Sequence, residues 1–173
     1  MTKIFNKILP EQITDNVFTA LRKDSFLITA GNKTHFNTMT AGWGGLGYLW
    51  YKPVSYCFVR PQRYTFEFTE KYDHYTLCFF DKKYKDILDY CGNYSGKNVD
   101  KMKETGLIPV ETETGNIYFE QARLVLECRK LYADFIKEHA FTDVKIPEKV
   151  YPAKDFHMLY IGEIISCLSG DIR

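Results

Sequence analysis

The chain has 173 residues, with 23 Lys and Arg against 22 Asp and Glu, a formal charge of +1. A domain of this length can bury a core without disulfide staples. Neither half is basic enough to clamp a nucleic acid by bulk charge: the first hundred residues carry 13 basic and 10 acidic groups. Aromatics make up 16% of the residues, with 13 Tyr and 13 Phe, which excludes a low-complexity or disordered polymer and leans toward β structure.

The first residues, Met1 to Pro10, lack an apolar signal core and a small-residue cleavage site, so the cytoplasm is the expected compartment. The longest apolar runs, such as Leu77–Phe80 and Met158–Ile161, fall far short of the ~20 residues of a membrane helix. Ser25–Ala30 reads as a strand closed by the turn residues Gly31, Asn32 and Lys33. Asn37–Gly42, a run of hydroxyls, amides and small residues, reads as a loop between apolar strands. Val54–Val59 is a second strand, bounded by Pro53 and Pro61, and His74–Phe80 a third.

Asp81 can cap a helix in which Tyr84, Ile87, Leu88 and Cys91 form one apolar stripe, with Gly92 suited to the position just past its end. Ser95 can cap a shorter helix over Lys97–Thr105, stopped by Gly106. Ile117–Phe119 and Ala122–Leu131 read as two arms of sheet, with Ala122, Leu124, Leu126 and Cys128 alternating onto one face. Phe156–Leu168 is a long apolar strand in which Gly162 marks a bulge or bend. About seven strands and two or three short helices, without regular crossover helices, predict a mainly β, antiparallel barrel in a single domain over 1–173.

The five cysteines are odd in number, widely spaced and without a Cys-x-x-Cys pair, and the four histidines form no close pair. That argues against a disulfide framework or a structural zinc site and for packed thiols. Gly42–Gly47 matches G-x-G-x-x-G literally, but no apolar strand precedes it, and Pro53 stands where the helix of a dinucleotide fold would run. A glycine-rich strand is the better reading.

The Asn37–Gly42 run can offer N–H groups and hydroxyls to a phosphate or a polar ring edge; the bland alternative is an ordinary hydroxyl-rich strand. Arg60-Pro61-Gln62-Arg63-Tyr64-Thr65 brings two planar donor forks, an amide and a hydroxyl together after an apolar strand. Tyr64, Phe66 and Phe68 alternate as in a strand, while Tyr64 and Phe68 also pair at i, i+4, so the local pattern leaves strand and helix open. Lys97 and Lys101 share a face if helical, and such a face is usually just solvated. His157 opens the last strand, where a lone histidine is more often packed than catalytic.

Taken in order, Asn37–Trp43, Arg60–Thr65, Ser95-Gly-Lys-x-x-x-Lys101 and Phe156-His-x-Leu-Tyr-Ile-Gly-Glu163 resemble the flavin reductase-like proteins, flavoredoxin included, over about residues 10–168. The resemblance implies an FMN-binding split β-barrel, usually a homodimer, with Arg63–Lys71 helical. It implies that Met39, Thr40, Ala41 and Trp43 line the ring and ribityl region and that Asn37 also binds the cofactor. It assigns the FMN phosphate to Arg60, Gln62, Arg63, Tyr64 and Thr65 at a helix start. Ser95, Lys97 and Lys101 would close the site, and His157 would be the catalytic-side residue where nicotinamide docks.

On this reading the protein is an oxidoreductase passing electrons from NADH or NADPH through FMN to flavin, iron, another small-molecule acceptor or a redox partner protein. No metal, nucleic acid or membrane partner is expected. The alternatives are a flavoredoxin-like electron carrier, or a non-catalytic flavin binder, without direct nicotinamide use, and a barrel that takes an apolar ligand among its aromatics.

Overall fold

The computed structural model describes residues 4–171, and its architecture follows from which strands are apolar on one face and which on two. Ten strands run in chain order as β1 (Ile4–Lys7), β2 (Phe26–Asn32), β3 (His35–Ala41), β4 (Gly44–Leu49), β5 (Lys52–Val59), β6 (His74–Phe79), β7 (Pro109–Glu111), β8 (Ile117–Phe119), β9 (Leu124–Phe135) and β10 (Met158–Asp171). The helical pieces are α1 (Val17–Thr19, running into a π turn over Ala20–Asp24), α2 (Tyr64–Lys71), α3 (Lys85–Asn93), α4 (Lys101–Thr105) and α5 (Lys145–Val150).

The main sheet has the order β3-β2-β6-β9-β10-β5-β4, every pairing antiparallel, and it does not close: β3 and β4 are its two ends. β10 serves two partners along one edge. Its first half, Met158–Glu163, pairs with β5, and its far end, from Leu168 on, pairs with β1. The register against β9 slips at Ile161/Gly162, within the first half, and again at Ile164/Ser166, between the two pairings, bulges that bend the strand as it changes partner. Gly162 is needed there, since a Cβ would lie 2.3 Å from the Tyr75 hydroxyl. The bend predicted at this glycine is therefore present. β7 and β8 form a separate two-stranded hairpin, so Ile117–Phe119 is not an arm of the main sheet.

Side-chain alternation sends β2, β6 and β9 into two cores. Phe26, Ile28, Leu77, Leu126 and Tyr160 fill the barrel, while Leu27, Cys78 and Val125 face outward under Leu88 of α3 and Phe119 of β8. Ala122 corrects the predicted stripe: it precedes β9 and packs in the outer cluster, whereas Leu124, Leu126 and Cys128 pack in the inner one. All five thiols are buried, Cys57, Cys128 and Cys167 inside and Cys78 and Cys91 outside. Among the described residues no helix is long and apolar enough to cross a membrane.

Three further expectations change. Residues Asn37–Ala41 are not a loop but most of β3, an end strand with one free edge. The helix after Asp81 begins as a 3-10 turn and becomes α3, which runs through Gly92 to Asn93 rather than stopping before it. Gly92 allows α3 to lie close on β3; a Cβ there would sit 3.3 Å from that of Thr40. The Lys97–Thr105 helix shrinks to α4, capped by the Asp100 carboxylate, which accepts from Met102 N–H and Lys103 N–H, and ended by Gly106 in the left-handed region (φ 69°). Lys97 and Lys101 thus share no helix. Gly44–Leu49 is the other end strand, with no helix in or after its glycines.

Candidate functional site

The free edge of β3, the start of α2 and the end of α3 meet in one place. There a cavity of about 350 Å³ adjoins a hollow of about 100 Å³, and Met39, Arg63 and Asn93 wall both. β3 turns part of its backbone outward. Thr38 O accepts from Lys101 Nζ, so it points off the edge, and the antiparallel alternation aims the Thr40 backbone the same way. Carbonyls along α3 take partners from around the site, and those of Cys91 and Gly92, in its last turn, have no intrahelical donor. Leu88 O accepts from Thr40 Oγ1, Cys91 O from Lys101 Nζ (2.8 Å) and Gly92 O from Arg63 Nη2 (2.7 Å).

The hollow is built around the amino end of α2. Arg63 N–H bonds back to Arg60 O and Phe66 N–H to Arg63 O, which leaves the Tyr64 and Thr65 N–H groups at the open, positive end of the helix dipole. Asn37, buried, donates from Nδ2 to Thr65 Oγ1 at 2.8 Å and fixes the helix start against β3. Gly96 crosses so close that a Cβ would lie 2.0 Å from Asn37 Oδ1. Ser95 also lines the hollow, and its Oγ accepts from Lys97 N–H at 3.3 Å.

Lys101 is only 6% exposed, and its ammonium spends two of its three hydrogens on Thr38 O and Cys91 O. Burial, with a smaller push from the Arg63 charge, lowers its pKa to about 8, against a partial opposing effect of Cys91. Arg63 is likewise lowered by burial. Two partly desolvated cations beside the helix N–H groups can receive an anion.

The larger cavity is more open and more apolar. Met39 and Ala41 of β3, Trp43 and Phe58 line it, together with Arg60 and His157. The Trp43 ring, half exposed, lies 5.0 Å from that of His157. Tyr151 OH and His157 Nδ1 are 2.9 Å apart. Burial, and then the nearby Arg60 charge, push the His157 pKa down to about 4, with Asp155 opposing in part, so the imidazole is neutral at pH 7.

The structure thus brings together Asn37, Met39, Thr40, Ala41, Trp43, Arg63, Tyr64, Thr65, Ser95, Lys101 and His157. Lys101 is the reverse of a solvated lysine. Three residues depart from their expected roles. Arg60 lines the larger cavity rather than the hollow; it is paired with Asp155 Oδ2 at 2.6 Å, donates to Val150 O, and lies over the Tyr151 ring. Gln62 lines the hollow, but its amide donates to the same Asp155 oxygen at 2.5 Å. Lys97 lines neither space: it pairs with Glu67 at 2.6 Å and lies over the Tyr64 ring, more than half exposed. Asp89, Asn93, Tyr151 and Asp155 carried no signal in the sequence. Asp155, for instance, meets Arg60 across 95 positions.

Residues 21–171 match the model of the family described as flavin reductase like domain. No curated protein sequence matches the chain. Among solved structures, the FMN-binding domain of a flavin reductase-like enzyme from Shewanella baltica is similar, with a TM-score of 0.69 at 14% identity over 98% of this chain and 78% of that one. Flavoredoxin from Methanosarcina acetivorans superposes with a TM-score of 0.66 at 24% identity, covering 94% and 76% of the two chains. A Shewanella frigidimarina structure described as having a split barrel domain gives 0.63 at 18% identity over 84% and 66%. The open antiparallel sheet found here is that split-barrel architecture.

Proposed function

Because this chain belongs to the flavin reductase-like family, we propose that it binds FMN and passes electrons from NADH or NADPH to an acceptor, either a small molecule such as flavin or iron, or a redox partner protein. The observation that carries this reading is the pairing of an open cavity lined by Met39, Trp43 and Phe58 with a cationic hollow across the shared Arg63 wall. The donor set fits a phosphomonoester: Arg63, Lys101, the Ser95 hydroxyl and the Tyr64 and Thr65 N–H groups would hold it. Met39, Ala41 and Trp43 would hold the ring system, with the Thr40 backbone on its polar edge. Arg60 and Gln62 would act one step removed, by fixing Asp155.

FMN, when bound, supplies the hydride chemistry. The protein's residues bind, orient and exclude water, and none is asked to be a nucleophile. His157 is neutral at working pH and so serves as a hydrogen-bonding group on the nicotinamide side rather than as an acid. The chain is further proposed to work in the cytoplasm as a homodimer. The barrel interior is filled by Phe26, Tyr75 and Tyr160, each fully buried, which disfavours an apolar ligand inside it.

The visible spectrum of the protein titrated with FMN tests the reading. Bound flavin should give a shifted, quenched signal, and Arg63→Ala should weaken binding by ~1.5–3 kcal/mol, roughly 10- to 150-fold. Failure to take up FMN would refute it. Anaerobic mixing with NADH and NADPH separates the two flavin roles: rapid bleaching supports the reductase, and its absence supports a carrier charged by a partner protein.

A further inference from the structure

His157 has two ring nitrogens, and the surroundings of one decide what the other can do. Nδ1 lies 2.9 Å from the Tyr151 hydroxyl in a buried contact; Tyr151 is 3% exposed and His157 9%. If Nδ1 carried the ring proton it would donate to that oxygen, and the buried O–H would have no acceptor among its contacts in the described residues. With the O–H donating to Nδ1, every group in the contact is satisfied, and the ring proton must sit on Nε2.

The charges facing this pair keep the arrangement in place. Tyr151 is stacked with Phe156 (4.7 Å) and lies edge-on to the His157 ring, and the Arg60 guanidinium is 5.3 Å from its ring centroid. Arg60 is itself anchored by Asp155 and Val150 O. Burial raises the Tyr151 pKa, so the phenol keeps its proton, and the imidazole stays uncharged well below neutrality. From the cavity side Trp43 covers the His157 ring and Phe58 meets it edge-on.

We propose that Tyr151 is a positioning residue that locks His157 as the neutral Nε2–H tautomer, making it a fixed hydrogen-bond donor to an uncharged oxygen, such as a carbonyl or carboxamide, of a ligand in the larger cavity. The tautomer rests on the protein alone; the ligand's role as electron donor rests on the proposed flavin function. The lock also has a consequence for the acid side of the reaction. A donor of this kind polarises an acceptor without giving up its proton, so any proton needed in turnover must come from elsewhere.

Two-dimensional 15N–1H spectra of the histidine rings, recorded on the protein without flavin from pH 5 to 9, test this directly. The expected result is a single Nε2–H tautomer for His157 across the range, with both tautomers populated in Tyr151→Phe, which keeps the ring packing. A wild-type proton on Nδ1, a titration near 6.5, or an unchanged tautomer in Tyr151→Phe overturns the proposal. The wild-type measurement stands even if the variant fails to fold. In FMN-loaded protein, Tyr151→Phe should slow reduction by NADH or NADPH while leaving FMN affinity unchanged; a changed tautomer with an unchanged rate overturns the donor role. Absence of FMN uptake by the wild type would instead refute the flavin function and leave the tautomer result in place.

Discussion

Lys101 links the cationic hollow to the stability of the fold with opposite signs of pH dependence. Lys101→Met keeps most of the stem and removes the ammonium. Its folded pKa of about 8 lies below the ordinary 10.5 because burial penalises the cation. Below pH 8 the lysine is charged in both folded and unfolded chains, and the full desolvation cost is present. Between about 8 and 10.5 the unfolded chain binds the proton and the folded one does not, so this residue's contribution to stability rises with pH, by at most ~1.4 kcal/mol per unit. FMN affinity should run the other way. At pH 7 the charged amine, 2.7 Å from Thr38 O and 2.8 Å from Cys91 O, should contribute a charge-assisted contact of ~1.5–3 kcal/mol, roughly 10- to 150-fold over Lys101→Met. Above pH 8 that advantage should shrink as the proton is lost. Fluorescence titration with FMN from pH 6.5 to 9.5, alongside urea unfolding of wild type and variant without flavin, reads both trends. An affinity ratio that is near one at pH 7, or that does not change across pH 8, would refute the placement of the ammonium at the phosphate.

Two other outcomes follow from the packing. Gly96→Ala would drive a methyl to 2.0 Å from Asn37 Oδ1 and 3.4 Å from the Tyr64 ring, so the Asn37–Thr65 contact at the start of α2 must break. FMN binding should fall by an order of magnitude or more, with a smaller loss of thermal stability; undiminished affinity would contradict the site geometry. The thiols of Cys57 and Cys78 are pushed up to about 12 by burial, and that of Cys167 to about 11. Alkylation at pH 8 should therefore be slow in the native protein and complete in denaturant for all five cysteines, which mass spectrometry can count; fast native labelling would show that the cores open.

The sequence was most readable where a physical requirement is local. The strands over residues 26–30, 54–59 and 74–79 are short apolar runs between turn residues, and the structure has β2, β5 and β6 there. The Gly162 bend and the Gly106 stop were legible because few other residues suit those positions. Misreadings arose where a distant partner overrides a local preference. Gly92 is a good helix terminator, yet α3 continues through it because β3 packs against that face. Ser95 is a good cap, yet Asp100 does the capping.

The residues of the candidate site were named by four ordered motifs, but their division of labour was not. Composition, alternation and turn chemistry by themselves determined a β-rich antiparallel chain with short helices, since those depend on neighbours a few positions apart. Only the tertiary structure decided that Lys101 is desolvated while Lys97 sits in solvent, and that Arg60 faces Asp155 while Arg63 faces the hollow. It alone showed that Tyr151 meets His157. The reason is physical: charge state and hydrogen-bond partner depend on burial and on groups brought close by folding, and a lysine four residues from another carries no local sign of which one will be buried.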